Sequence, residues 1–335
     1  MSDVRWLILL VILTASLDCG CGDSSSGEPI LRIGMIPKLV GIGYFDATQQ
    51  GAEEAAAELD VRLTFDGPTE ARTEDQIKII DGWLAQGYDV VAAAPNDPEA
   101  ISQTLRRATE AGAVVVTWDT DANPEKSGRA TFVNQAPNEA IGFTLVDVMA
   151  EGVRSRGDTV AGRYLIVSGT PTAANQNVWM AYMRARIGEH YPEMELVETL
   201  MPGEDQQRAQ EMTAEALRAY PDLKGIWGIT SVSLPGTAKA VRDAGRADRV
   251  YVTGLGQPNI MREYVKDGTV EKFVLWNPVD LGYLTVHVAK RISQGTLEYG
   301  TVDMGRLTDI KVREGEVVLG PPIVFDAENI DEFDF

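Results

Sequence analysis

Histidine and cysteine are scarce in this 335-residue chain, with two of each. His190 and His287 both fall inside helical patterns, which leaves almost no material for a histidine metal site or a catalytic triad. Cys19 and Cys21 both stand near the N-terminus, so the folded part has no cysteine. Positive charge is also short, with 30 basic against 50 acidic residues and a net charge of -20. A surface this acidic repels phosphate backbones and anionic lipid headgroups, which argues against nucleic-acid binding. No G-x-G-x-x-G opens a helix after a strand, and there is neither a P-loop nor a G-x-S-x-G elbow. Asp119 and Asp121 lie two residues apart in one strand-end loop, a spacing better suited to polar contacts than to glycosidase chemistry. No catalytic residue, metal or cofactor is expected.

What is present begins at the N-terminus. Arg5 precedes the apolar run Trp6–Leu13 and the small residues Thr14-Ala15-Ser16. That is the layout of a signal peptide, and the run is too short to span a bilayer. Cys19, Cys21 and the polar stretch 22–27 follow, and a disulfide between near neighbours would be strained. An apolar run ending at a cysteine and a Ser/Gly tether resembles a bacterial lipoprotein signal, with Cys21 or Cys19 as the lipidation site. An exported protein is expected, touching membrane only through such an anchor.

The length predicts two domains. From Leu31 short β-rich runs alternate with helical patterns: strands at 31–36, 61–65, 90–94 and 113–117, helices at 47–59, 74–86 and 99–111. After about Val133 the pattern restarts. Strands are expected at 164–167, 196–200, 225–229, 250–253 and 273–276, and helices at 141–153, 176–191, 206–219, 235–244 and 281–292. The strands are continuous apolar runs, as burial on both faces of a parallel sheet requires. Two doubly wound α/β domains follow.

In such sheets ligands bind beyond the carboxyl ends of the strands. The strand ends here carry 37–45 (with Lys38, Tyr44 and Phe45), Pro95-Asn96-Asp97 and Trp118-Asp119-Thr120-Asp121. The second half offers Asn175-Gln176-Asn177, Thr230-Ser231 through Pro235-Gly236-Thr237, Gly256–Asn259 and Trp276-Asn277. Carboxylates and carboxamides pair with vicinal hydroxyls, Lys38 is a charged donor, and indole or phenol rings pack on the apolar face of a sugar. The expected ligand is a small polyol.

These segments resemble the type I periplasmic solute-binding proteins, and within them the paired branches that bind L-rhamnose and autoinducer-2. The matching strings include Ile36–Gly41, Asp66–Glu70, Gln86–Asp89, Thr117–Asp121, Asn175–Trp179, Ser233–Pro235, Pro258–Val265, Leu275–Pro278 and Phe325–Ile330. The resemblance implies two Rossmann-like lobes joined by a three-strand hinge and closing over the ligand. It divides the chain into a signal peptide and tether (1–28), an N-terminal lobe (29–134 plus 278–307) and a C-terminal lobe (135–277 plus 308–335). It places ligand contacts on Lys38, Asp119, Asn175, Gln176, Pro235 (through its backbone) and Thr237, with Asn277 as a hinge contact. It also implies a monomer that delivers its sugar to an ABC-transporter permease. Autoinducer-2 binders typically carry Asp at the Asn175 position and Ala at the Thr237 position. Those departures, together with Asn277-Pro278, 254–256 and the acidic ending 331–335, point to L-rhamnose, with autoinducer-2 or another deoxy-sugar, pentose or polyol as the alternative.

Overall fold

The computed structural model describes residues 30–335, so the expected leader, Cys19, Cys21 and the tether lie outside the described residues. The chain first lays down β1 (Arg32–Ile36), α1 (Gly43–Leu59), β2 (Arg62–Phe65), α2 (Thr73–Ala85), β3 (Val90–Ala93), α3 (Pro98–Glu110), β4 (Val114–Trp118), α4 (Pro124–Ser127) and β5 (Thr131–Asn134). It then crosses into a second sheet system: α5 (Asn138–Ser155), β6 (Gly162–Val167), α6 (Ala174–His190), β7 (Met194–Leu200), α7 (Gln206–Ala219), β8 (Leu223–Gly228), α8 (Ser233–Asp243), β9 (Tyr251–Gly254), α9 (Pro258–Lys266) and β10 (Phe273–Leu275). The return brings α10 (Pro278–Ser293), β11 (Gly300–Met304), β12 (Leu307–Arg313) and β13 (Glu316–Val318), and β14 (Ile323–Phe325) ends the strands.

The larger sheet has the order β11-β12-β13-β5-β4-β3-β1-β2, and the smaller one β7-β6-β8-β9. The Leu255–Val274 bridge links β9 to β10, on which β14 pairs antiparallel. Pairing among β1 to β5 and among β6 to β9 is parallel throughout, as the apolar runs predict. All four residues of β3 are buried. Trp118 and Trp227 sit wholly in the core, their indole N–H groups donating to the carbonyls of Ala92 (3.2 Å) and Leu145 (2.8 Å).

The tail follows a different course from the one expected. Residues 308–335 do not all join the second lobe: β12 and β13 run into the larger sheet, where β13 pairs parallel with β5. The expected boundary therefore cuts through β12, and the crossing comes after Val318. β12 exposes alternate residues, a signal too weak to predict from its sequence. Three segments pass between the sheets, at 135–137, 276–277 and 319–322, and Leu319 N–H donates to the Asn134 carbonyl (2.9 Å) beside the first of them.

α1 and α10 cross on the larger sheet, and His287 of α10 is buried beside Tyr283 and 3.7 Å from the Glu58 carboxylate. Burial pushes its pKa down; Glu58 opposes this, while Arg291, Lys290 and Arg306 add to it. Below the unfolded value of about 6.5, the unfolded chain takes up a proton that the folded chain resists. Stability is therefore full above that pH and falls as pH drops through it. His287→Phe is expected to flatten the change in melting temperature between pH 7 and pH 5.5; an unchanged profile would remove His287 from that role.

Candidate functional site

The carboxyl ends of both sheets face one partly open cavity. Its lining draws on Lys38, Ile42, Tyr44, Phe45 and Asp119 from the larger sheet's side, and on Asn175, Gln176, Trp179, Glu204, Ile229, Thr230, Ser231 and Leu255 from the other. Leu275 and Trp276 close it at a crossing. The cavity is tight: its volume is about 40 Å³, room for a few waters at the roughly 10–15 Å³ that each requires.

Asp119 holds the floor. It follows β4 directly and takes a left-handed backbone (φ 59), a conformation Asp tolerates better than most residues. Backbone strain of this kind gathers where a side chain must be aimed. One carboxylate oxygen accepts from the Tyr44 hydroxyl (2.8 Å) and the other from Thr120 Oγ1 (3.1 Å). Trp276 Nε1 donates in turn to the Tyr44 oxygen (2.8 Å), tying the crossing to the floor. Desolvation, with the Asp119 charge and hydrogen bond, raises the Tyr44 pKa well above that of a free phenol, so it stays a donor.

Lys38 is 4% exposed and reaches across the cavity. Its ammonium donates to Asn175 Oδ1 (3.0 Å) and stands 3.9 Å from Asp119. Asn175 and Gln176 lie in the first turn of α6, both buried, and Gln176 Oε1 has no protein partner among the described residues. A buried acceptor left open in this way is satisfied when a ligand donates to it. Phe45, Tyr44, Trp179 and Trp276 supply apolar faces; Trp179 and Trp276 are 5.7 Å apart, while Phe45 packs edge-on to Tyr44.

Six of the ten expected ligand contacts thus meet here: Lys38, Tyr44, Phe45, Asp119, Asn175 and Gln176. The other four do not line the cavity. Asn96 donates through Nδ2 to the Lys38 carbonyl (2.8 Å), and its own N–H goes to the buried Gln76, so it fixes the loop that carries Lys38. Asn277 caps α10, its Oδ1 accepting from the N–H groups of Val279 and Asp280 while its Nδ2 goes to Asp280. Pro235 and Thr237 fall inside α8 because reciprocal bonds between Thr230 and Ser233 start that helix at Ser233, two residues earlier than the proline suggests. Thr237 consequently faces α7, with its hydroxyl 3.4 Å from that of Thr213, and Ile229, Thr230 and Ser231 reach the cavity instead.

Glu204 is the charged lining residue the strand-end inventory omits, alongside the apolar Trp179, Ile229, Leu255 and Leu275. It sits in the loop after β7, a strand whose end the same rule covers, so the signal was available.

A family model described as a periplasmic binding protein domain matches residues 33–297. The chain is 27% identical over 248 residues to the D-ribose/D-allose-binding protein of Pseudomonas aeruginosa, covering 71% of this chain and 75% of that one. Among solved structures it is similar to LsrB from Clostridium saccharobutylicum in complex with AI-2, with a TM-score of 0.86, 25% identity and coverage of 91% and 100%. It is also similar to an ABC transporter solute-binding protein from Clostridium phytofermentas with bound L-rhamnose, at a TM-score of 0.83, 28% identity and coverage of 91% and 98%.

Proposed function

Because the chain belongs to the periplasmic binding protein domain family, we propose that it is the solute-binding component of a sugar ABC importer, with L-rhamnose as its ligand. The observation that carries this reading is the buried polar set of Lys38, Asp119, Asn175 and Gln176 between aromatic faces, with Gln176 Oε1 still open. Asp119 accepts from ring hydroxyls, Lys38 donates to a ring or hydroxyl oxygen, and the rings of Phe45 and Trp179 cover the C–H faces. The Lys38–Asn175 bond crosses the cleft, so binding between these residues favours the closed arrangement of a hinged binder. The three crossings at 135–137, 276–277 and 319–322 are the hinge.

The ligand is bound and released unchanged, then handed to a membrane permease. Export with a lipid anchor at Cys21 or Cys19 fits that delivery, and a monomer suffices for it. No described helix is long and apolar enough to cross a membrane.

L-Rhamnose is expected to raise the melting temperature more than D-ribose or D-arabinose; a ligand at a hundred times its Kd stabilises by about 2.7 kcal/mol. Absence of a shift with every pentose, deoxyhexose and polyol tested would overturn the sugar reading. The second reading, an autoinducer-2 receptor, draws on the similarity to LsrB. Thr237 is buried away from the cavity, so preference for rhamnose over that signal rests on Asn175 in place of Asp, with Asn277-Pro278, 254–256 and the ending 331–335. Binding from culture fluid with no response to sugars would favour the signal.

A further inference from the structure

Glu204 occupies the neck of the cavity. With Ile42 and Ser231 it lines both the cavity and a wider groove outside it. Its carboxylate has no hydrogen-bond or ion-pair partner among the described residues, unlike Asp119. The position is nonetheless built. Gly169 borders it, where a Cβ would stand 2.9 Å from Glu204 Oε1, the far end of that side chain. Gly203 just before it has a left-handed backbone (φ 82) that turns the loop inward.

The charge around it is lopsided. The cavity's charged lining is Lys38, Asp119 and Glu204, one cation against two carboxylates. The outer groove adds Glu70 and Asp205 and no basic residue, Glu70 being paired with Arg72. Burial raises the Glu204 pKa, Lys38 opposes that and Asp119 adds to it.

We propose that Glu204 is a specificity-determining ligand contact that accepts a sugar hydroxyl and restricts the cavity to neutral polyols, rejecting sugar acids of the same ring. An anionic ligand would meet two carboxylates, with the single ammonium already engaged by Asn175 and facing Asp119. This rests on the reading that a sugar occupies the cavity, and it adds the chemical class that the site refuses.

The test is calorimetric titration of the purified protein at pH 7 with three probes sharing one pyranose. L-Rhamnose carries a methyl at C6, L-mannose a hydroxymethyl group and L-mannuronate a carboxylate, so L-mannose separates size from charge. The wild type is expected to bind L-mannuronate at least about tenfold more weakly than L-mannose, a modest outcome for one like charge a few ångströms away. Glu204→Gln, which keeps the shape and loses the charge, is expected to bring the two within about threefold of each other and to weaken L-rhamnose several-fold. Glu204→Asp is expected to keep the discrimination. A ligand-free melt of each variant checks that it folds. Equal wild-type affinity for the acid and the neutral sugar, or a folded Glu204→Gln that still refuses the acid, would overturn the proposal and leave the sugar site standing. Wild-type protein that binds none of the three would overturn the L-rhamnose reading and this inference with it.

Discussion

Asp119→Ala is expected to weaken sugar binding about a hundredfold or more, the scale of losing hydrogen bonds to a charged acceptor in a buried site. Asp119 accepts from Tyr44 and Thr120 and faces Lys38 at 3.9 Å. Without it a bound hydroxyl loses its acceptor, and Lys38, 4% exposed, loses its opposite charge. The fold is expected to survive, because the strand before Asp119 is held by β3 and β5 on either side. Alanine is poorly suited to the left-handed backbone at φ 59, which costs about 1 kcal/mol and lowers the melting temperature slightly. Asp119→Asn separates the two effects, since asparagine tolerates that backbone and lacks the charge. Titration of both variants with L-rhamnose checks the expectation; affinity within a few-fold of wild type in Asp119→Asn would move the charged acceptor elsewhere.

Gly282→Ala is expected to destabilise the fold more than any surface change. α1 and α10 cross so closely that a Cβ at Gly282 would stand 1.9 Å from the Thr48 carbonyl oxygen, and one at Gly51 1.7 Å from that of Val279. Both obstacles are backbone, so relief requires the helices to part, and overpacking of this kind costs about 1–3 kcal/mol or more. The melting temperature is expected to fall by about 5 °C. Gly82→Ala in α2 is the matched control: a Cβ there meets nothing within 4 Å, and alanine suits a helix better. A calorimetric scan in which both variants melt with wild type would show that the two helices separate freely. Such loosening would also disturb the first turn of α1, which carries Tyr44 and Phe45, so ligand affinity should fall with stability in Gly282→Ala.

How much of this was legible beforehand differs between fold and site. Val90 to Ala93 and Val114 to Trp118 are continuous apolar runs because both faces of their sheet are covered, and that is visible in any short window. β12 and β13 were not legible: their alternation is weak, and their place in the sheet depends on β5, more than 170 residues earlier. α9 was missed in the element pattern although Pro258 stands at its start.

The sequence by itself determined that strand ends would carry carboxylates, carboxamides, a lysine and rings, because a strand and the loop after it are local. It therefore named Lys38, Tyr44, Phe45, Asp119, Asn175 and Gln176, which the fold brings into a common lining. Only the tertiary structure decided which polar groups were left free to face a ligand. Asn277 spends its side chain on the N-terminus of α10, Asn96 on the Lys38 carbonyl and Thr237 on the contact with α7. Glu204 comes to the neck from the loop after β7, with Gly169 on a neighbouring strand end bordering its carboxylate. A hydrogen-bonding side chain is committed by whatever partner comes within about 3 Å, and partners distant along the chain are brought that close only by packing.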